Sequence, residues 1–136
     1  MIYKTKLIVR SYELDSYNHV NNAVYLNYLE HARMDFLHQI KFDYKGLFAK
    51  GFYTYVTHID IHYKASALLD DELTIESKAV KLGAASGTIH QEIKKYAGTK
   101  DELICVNADV TWACVKDGII SKIPEEFLVE GLKPSK

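Results

Sequence analysis

The chain has 136 residues, of which 48% are hydrophobic and 26% charged, a composition typical of one globular domain spanning residues 1–136. Its net charge of -1 provides no broad positive field for nucleic acid or for an anionic membrane surface. No apolar run approaches the roughly 20 residues that a membrane-spanning helix needs, and the N-terminus lacks a signal-peptide core. These features predict a cytoplasmic protein that binds neither nucleic acid nor membrane.

The first predicted elements are a strand, a turn and a long helix. Residues 2–14 alternate in polarity like a strand, and residues 15–18 form a turn. Asn21 or Asn22 is then a suitable N-cap, because an asparagine side chain accepts a hydrogen bond from the first turn of a helix. Apolar residues next recur every three or four positions, which predicts one helix ending near Ile40. Its buried face consists of Tyr25, Leu29, Ala32, Phe36 and Ile40.

Beyond residue 51 the period of the hydrophobic pattern changes from 3.6 to 2. Strands are predicted at 53–64, 72–82, 86–96 and 103–116, with short turns that favour an antiparallel meander of these four. Pro124 then starts a short helical turn. The fold class is therefore α+β, with one long helix packed on a five-stranded antiparallel sheet. Pairing two copies of the domain is the simplest way to cover a sheet edge.

Metal and disulfide chemistry are not expected. Cys105 and Cys114 are nine residues apart on one predicted strand, so their side chains point to opposite faces and they are interpreted as unpaired core residues. His58, Asp60 and His62 share a strand face, but residues four apart on a strand are separated by about 13 Å, too far for one ion. The sequence contains no glycine-rich phosphate loop, nucleophile elbow or zinc-ligand spacing.

The most informative segment is DSYNHVNNAVYLNYLEHAR, from Asp15 to Arg33. It brings a carboxylate, an imidazole and a helix N-terminus into one short stretch. A helix N-terminus offers unpaired N–H groups and a partial positive charge. Such a start can polarise the carbonyl of an acyl group, which points to acyl chemistry.

This segment, read as D-x-x-x-H-V-N-N-x-x-Y-x-x-Y-x-E-x-A-R, resembles the hotdog-fold acyl-CoA thioesterases of the 4-hydroxybenzoyl-CoA thioesterase-like branch. The order of elements over nearly the whole chain resembles them too. The resemblance implies hydrolysis of an acyl-CoA thioester to a free acid and coenzyme A, without any cofactor beyond the coenzyme A of the substrate. It also implies a homodimer or homotetramer with active sites at the subunit interface.

The resemblance implies a catalytic set of Asp15, His19 and Asn22. Asp15 would attack the thioester carbonyl or activate water, and N–H groups near Asn21 and Asn22 would receive the carbonyl oxygen. His19 would orient Asp15, accept its proton or line the pocket. The residues expected to bind the acyl group or coenzyme A are Asn21, Tyr25, Lys81, Gly83 and Ser86.

Plainer interpretations compete with these roles. Asp15 alone would be an ordinary turn residue, the asparagines would be caps, and Tyr25 would be a packing residue. Glu30 and Arg33 are three apart on the helix, which favours a surface or interface ion pair. At the level of the whole protein, the alternatives are hydrolysis of acyl-carrier-protein thioesters and non-catalytic acyl binding by a hotdog protein.

Overall fold

The computed structural model describes residues 1–134, and its central element is helix α1, Asn22–Gln39. Asn21 is the N-cap, and its side chain accepts a hydrogen bond from the N–H of Ala23 at 2.9 Å. The predicted helical face is confirmed, since all five of its residues are buried. Their side chains are those of Tyr25, Leu29, Ala32, Phe36 and Ile40.

A curled antiparallel sheet packs against α1. Its strands are β1 Tyr3–Ile8, β2 Phe52–Tyr63, β3 Glu72–Leu82, β4 Ser86–Lys95, β5 Leu103–Lys116 and the two-residue β6 Ile119–Ile120. The spatial order is β1-β3-β4-β5-β2, with β6 paired to β5, and every pairing is antiparallel. The α+β prediction of a long helix on five long strands is therefore confirmed, with β6 as a small addition.

The predicted four-strand meander was wrong in one connection. Of the four strands in the predicted meander, β3, β4 and β5 are neighbours in the sheet in chain order. In contrast, β2 pairs with β5, and β3 pairs with β1 on its other side. Residues 64–71 between β2 and β3 are not a hairpin. They pass over the start of α1, where the Val20 N–H donates to the Ala67 carbonyl and His19 forms a β-bridge with Leu68.

Two further boundaries differ from the sequence prediction. The first strand ends at Ile8, because the chain turns into a single 3₁₀ turn at Ser11–Glu13. A short helix α2, Tyr44–Ala49, was not predicted and begins where Asp43 caps the N–H of Gly46. The helical turn after Pro124 is confirmed as a 3₁₀ turn at Glu125–Phe127.

The core consists of two apolar clusters, one under each half of α1. Cys105 lies in the first cluster and Cys114 in the second, and both are free and fully buried, as predicted. Burial raises the pKa of both thiols, which keeps them unreactive at neutral pH. Within residues 1–134 no helix has the length and apolar character to cross a membrane. A cytoplasmic location stays a prediction.

Candidate active site

The candidate site is built on a small hairpin that leads into α1. The Asn21 N–H donates to the Glu13 carbonyl at 3.0 Å, Leu14 pairs with Val20, and the Asp15 N–H donates to the His19 carbonyl at 2.8 Å. The chain reverses direction at its tip, where Asn18 has a φ of 63°. Asparagine tolerates this left-handed conformation better than most residues. The hairpin holds the catalytic candidates beside the first turn of the helix.

The half-buried Asp15 carboxylate organises this hairpin through one of its two oxygens. Oδ1 accepts hydrogen bonds from the Tyr17 N–H at 2.9 Å and from the His19 N–H at 3.2 Å. Among the described residues, none donates a hydrogen bond to Oδ2. Asp15 is therefore both a turn residue, as the plainer interpretation held, and a carboxylate with one oxygen left for chemistry.

Among the described residues the His19 imidazole forms a hydrogen bond with Ser66 and none with the Asp15 carboxylate. Its Nδ1 lies 3.4 Å from the Ser66 hydroxyl, whereas the hydrogen bonds between His19 and Asp15 use the backbone N–H and carbonyl of His19. The exposed ring borders a shallow groove that also includes Leu14, Tyr17 and Leu68. This placement favours the pocket-lining role among the three predicted for His19, which all remain predictions.

At the start of α1, the first N–H of the helix has no hydrogen-bond partner among residues 1–134. The Asn21 N–H is taken by Glu13, and the Ala23 N–H by the Asn21 side chain. The Val24 N–H donates to the Asn21 carbonyl. Among the described residues only the N–H of Asn22, the first helical residue, remains open in this turn. The predicted pair of carbonyl-binding donors is thus reduced to the Asn22 N–H, and Asn21 acts as a cap.

Tyr25 joins this cluster from the next turn of the helix. Its ring is buried, and its hydroxyl oxygen accepts a hydrogen bond from the Ala67 N–H at 2.9 Å. Burial, with a smaller contribution from the negative charge of Asp15, raises the pKa of Tyr25 and keeps it protonated. The phenol therefore fixes residues 64–71 over the site. A direct role in substrate binding stays a prediction.

Glu13 is a site residue that the sequence analysis missed. Its carboxylate is buried and accepts hydrogen bonds from the Tyr28 hydroxyl at 2.7 Å and the Arg10 N–H at 2.8 Å. The Arg10 guanidinium adds two more, at 2.7 and 3.1 Å. Because the Glu13 carbonyl also receives the Asn21 N–H, this residue ties the hairpin to the helix start. In the sequence, the three-residue spacing between the basic Arg10 and the acidic Glu13 could have indicated this ion pair.

We expect Glu13 to make stability depend on acid pH. Burial opposes ionisation, but the hydrogen bonds from Arg10 and Tyr28 outweigh it and hold the pKa of Glu13 below its ordinary 4.5. A lowered pKa gives stability that is present above about pH 4.5 and is lost as pH falls through the folded value. Glu13→Gln should therefore reduce the free energy of unfolding by about 1–3 kcal/mol at pH 7 and by less at pH 3.5.

Urea unfolding at the two pH values measures this difference, with the exposed Glu125→Gln as the matched control. An equal loss at both pH values in Glu13→Gln would show that ionised Glu13 is not what stabilises the hairpin.

The predicted coenzyme A residues lie elsewhere in the chain. Lys81 is near the end of β3, Gly83 lies in the turn to β4 and Ser86 is the first residue of β4; the Gly83 N–H donates to the Ser86 carbonyl at 2.7 Å. The hairpin with Asp15 lies near the other end of β3, beside Leu68. Nine residues of strand separate Glu72 from Lys81, or about 30 Å. One copy of the chain does not bring the two predicted sets together.

The expected ion pair between Glu30 and Arg33 is also absent from the described contacts. Arg33 instead turns inward, and its Nη1 donates to Gln91 Oε1 at 3.1 Å. The reason is that Gln91, on β4, is fully buried and offers a fixed acceptor beneath the helix. Within residues 1–134 no group of three or more His, Cys, Asp or Glu side chains is placed to hold a metal ion.

The arrangement supports acyl chemistry, since a carboxylate with one unpaired oxygen lies on the hairpin that precedes a helix with an open first N–H. A family model described as the thioesterase-like superfamily matches residues 9–130. The chain belongs to this superfamily. As a member it is a thioester hydrolase, as its sequence predicted.

Named relatives agree with this assignment. The long-chain acyl-CoA thioesterase FadM of Escherichia coli is 36% identical over 112 residues, covering 82% of each chain. The crystal structure of YbaW, a probable thioesterase from Escherichia coli, is 32% identical with a TM-score of 0.74 over 90% of both chains. A 1,4-dihydroxy-2-naphthoyl-CoA thioesterase from Synechocystis has a TM-score of 0.81 at 16% identity, covering 92% of this chain and 91% of its own. The predicted hotdog fold is confirmed.

Proposed function

We propose that the protein is an acyl-CoA thioesterase that uses Asp15 as nucleophile or general base. The observation that carries this proposal is a carboxylate with an unpaired oxygen, Asp15 Oδ2, on the hairpin that leads directly into a helix whose first N–H, that of Asn22, is open among the described residues. Similarity to an acyl-CoA thioesterase over most of the chain supports coenzyme A as the carrier. The products are a free acid and coenzyme A.

Two routes through Asp15 fit this placement. In the first, Oδ2 adds to the thioester carbonyl carbon, and the C–S bond breaks to release the coenzyme A thiolate. Water then hydrolyses the mixed anhydride and regenerates the carboxylate. In the second, Oδ2 removes a proton from a water molecule that attacks the same carbon; the C–S bond then breaks, and the departing coenzyme A sulfur takes the proton from Asp15 and leaves as the thiol. In both routes the negative charge that develops on the carbonyl oxygen is stabilised by the Asn22 N–H and the positive end of α1.

The carrier is tested by comparing one acyl chain in two forms. Initial rates of acid release are measured with the chain attached to coenzyme A and to acyl-carrier protein. The proposal expects the larger kcat/KM with the coenzyme A thioester. A larger value with the carrier protein would assign the protein to acyl-carrier-protein hydrolysis. Tight binding of both without any free acid would identify a non-catalytic acyl-binding protein.

The predicted homodimer completes the site in this proposal. β2 is an edge strand of 12 residues with pairing on one side only, and several of its large side chains are exposed. Joining two β2 edges would cover this surface. Since Lys81 and the Asp15 hairpin of its own chain lie near opposite ends of β3, a second chain would supply the Lys81 that attracts the coenzyme A phosphates. A tetramer would require a further interface.

Mixed assemblies test whether the site spans two chains. Lys81→Glu should raise KM for acyl-CoA about tenfold by repelling the phosphates, and Asp15→Asn should remove turnover. Assemblies containing one chain of each variant, isolated with two affinity tags, should recover about half of the unmodified activity. They would contain one site with both residues intact. Activity no higher than half that of Lys81→Glu would place both residues in the same chain and contradict the proposal.

A further inference from the structure

A second cleft, which we call the Arg33 cleft, opens between the later turns of α1 and the edge strand β2. Its walls are mostly apolar and include Met34, Leu37, Val56 and Trp112. Arg33 lies eleven residues beyond Asn22, which places it about 16 Å further along the helix. The Arg33 cleft is thus separate from the hairpin of Asp15 in the same chain.

Arg33 brings a positive charge into this apolar setting, and no carboxylate of residues 1–134 forms a hydrogen bond or ion pair with it. Among residues 1–134 its one hydrogen bond goes to Gln91 Oε1, a neutral group. Gln91 cannot turn away, because its Nε2 donates to the Leu29 carbonyl at 3.1 Å and to the Ser77 hydroxyl at 3.0 Å. A guanidinium has five N–H donors, so most of those on Arg33 remain available to a ligand.

The surroundings of Arg33 favour an anion. Burial lowers the pKa of Arg33, opposed by the charge of Glu30, so the guanidinium is poorly solvated. The Glu30 carboxylate borders the cleft but is exposed and forms no ion pair with Arg33. A planar carboxylate matches the paired donors of a guanidinium. The apolar walls would receive an alkyl chain attached to that carboxylate.

We propose that the Arg33 cleft binds a free fatty acid, with the carboxylate on Arg33 and the alkyl chain against Met34, Val56 and Trp112. A free fatty acid is also the kind of product that acyl-CoA hydrolysis would release. This relation between the cleft and the reaction rests on the proposed function. The binding itself depends only on the charge and shape of the cleft. It would therefore persist in a protein with no thioesterase activity.

Trp112 provides a direct probe, since it is the only tryptophan in the chain. Its indole lies across Gly87, where an added Cβ would approach the ring to 2.7 Å. The experiment titrates the assembled protein with 12-bromododecanoate and, separately, with 12-bromododecan-1-ol, and follows quenching of tryptophan fluorescence. We expect the acid to quench at concentrations at least tenfold lower than the alcohol, which has the same chain without the charge.

Variants on α1 separate charge recognition from simple apolar binding. Arg33→Met should weaken binding of the acid about tenfold or more and leave binding of the alcohol within twofold. Glu30→Gln removes a negative charge at the border of the cleft and should tighten binding of the acid about twofold. Because Glu30 is exposed, this variant should fold even if Arg33→Met does not. Equal binding of acid and alcohol, absence of quenching by the acid, or no effect of either folded variant would overturn the proposal. No thioester is present, so these outcomes are independent of the proposed hydrolysis.

Discussion

Asp15→Asn is expected to lower kcat for acyl-CoA hydrolysis by about 1,000-fold or more while the protein remains folded. Asparagine removes the negative charge needed for attack or for proton abstraction. Its side-chain oxygen can still accept the two hydrogen bonds from the Tyr17 and His19 N–H groups, which Asp15 Oδ1 accepts in the structure. The variant therefore separates the chemistry of Asp15 from its role in the turn.

Asp15→Ala provides the contrast, because it removes the charge and both turn hydrogen bonds together. Thiol release gives kcat for each variant, and urea unfolding gives its stability. We expect similar losses of kcat in the two variants but a lower free energy of unfolding only in Asp15→Ala. If Asp15→Asn keeps more than a tenth of the original kcat, Asp15 is a turn residue alone.

Asn22→Pro is expected to lower kcat by about 100- to 1,000-fold, the loss typical of removing one donor to a developing oxyanion. Proline has no N–H, and it is well tolerated at the first position of a helix because that N–H has no partner within the helix. Asn21, which precedes it, has φ -61° and ψ 137°, a conformation compatible with a following proline. The substitution removes the open donor with little expected effect on the helix.

Asn22→Ala is the matched control, since it removes the exposed side chain and keeps the backbone N–H. Its kcat should stay within a few-fold of the unmodified value, and circular dichroism should show the same helix content in both variants. Equal losses of activity in Asn22→Pro and Asn22→Ala would assign the effect to the side chain. Full activity in Asn22→Pro would exclude this N–H as the donor to the carbonyl oxygen.

The helix was predictable because its determinants are local. The spacing of Tyr25, Leu29 and Phe36 defines the buried face. The N-cap was predicted to be one of two adjacent asparagines, and the structure shows that it is Asn21. The partner of β2 was not predictable in this way, since strand pairing depends on contacts between distant segments. Residues 64–71 cross over the start of α1 and connect β2 to β3. As a result, β2 and β3 are not neighbours in the sheet but are separated by β4 and β5.

The motif was enough to propose the residues of the candidate site, which stay a prediction, but not their contacts. Asp15 and the helix start were recognisable from the motif, but the Asn21 cap consumes one donor and Glu13 another. Glu13 is buried because Tyr28, fifteen residues later, reaches it from α1. Arg33 turns toward Gln91 on β4, a contact across 58 residues. Such pairings become visible only when the helix and the sheet are placed together.

The most direct test of the central claim is release of coenzyme A thiol and free acid from a series of aliphatic and aromatic acyl-CoA thioesters. The unmodified protein and Asp15→Asn, prepared identically, are compared on each substrate. We expect equal amounts of thiol and acid from at least one substrate with the unmodified protein, and at least 1,000-fold slower release with Asp15→Asn. No release from any substrate, or equal release by the two proteins, would contradict the assignment of an acyl-CoA thioesterase that acts through Asp15.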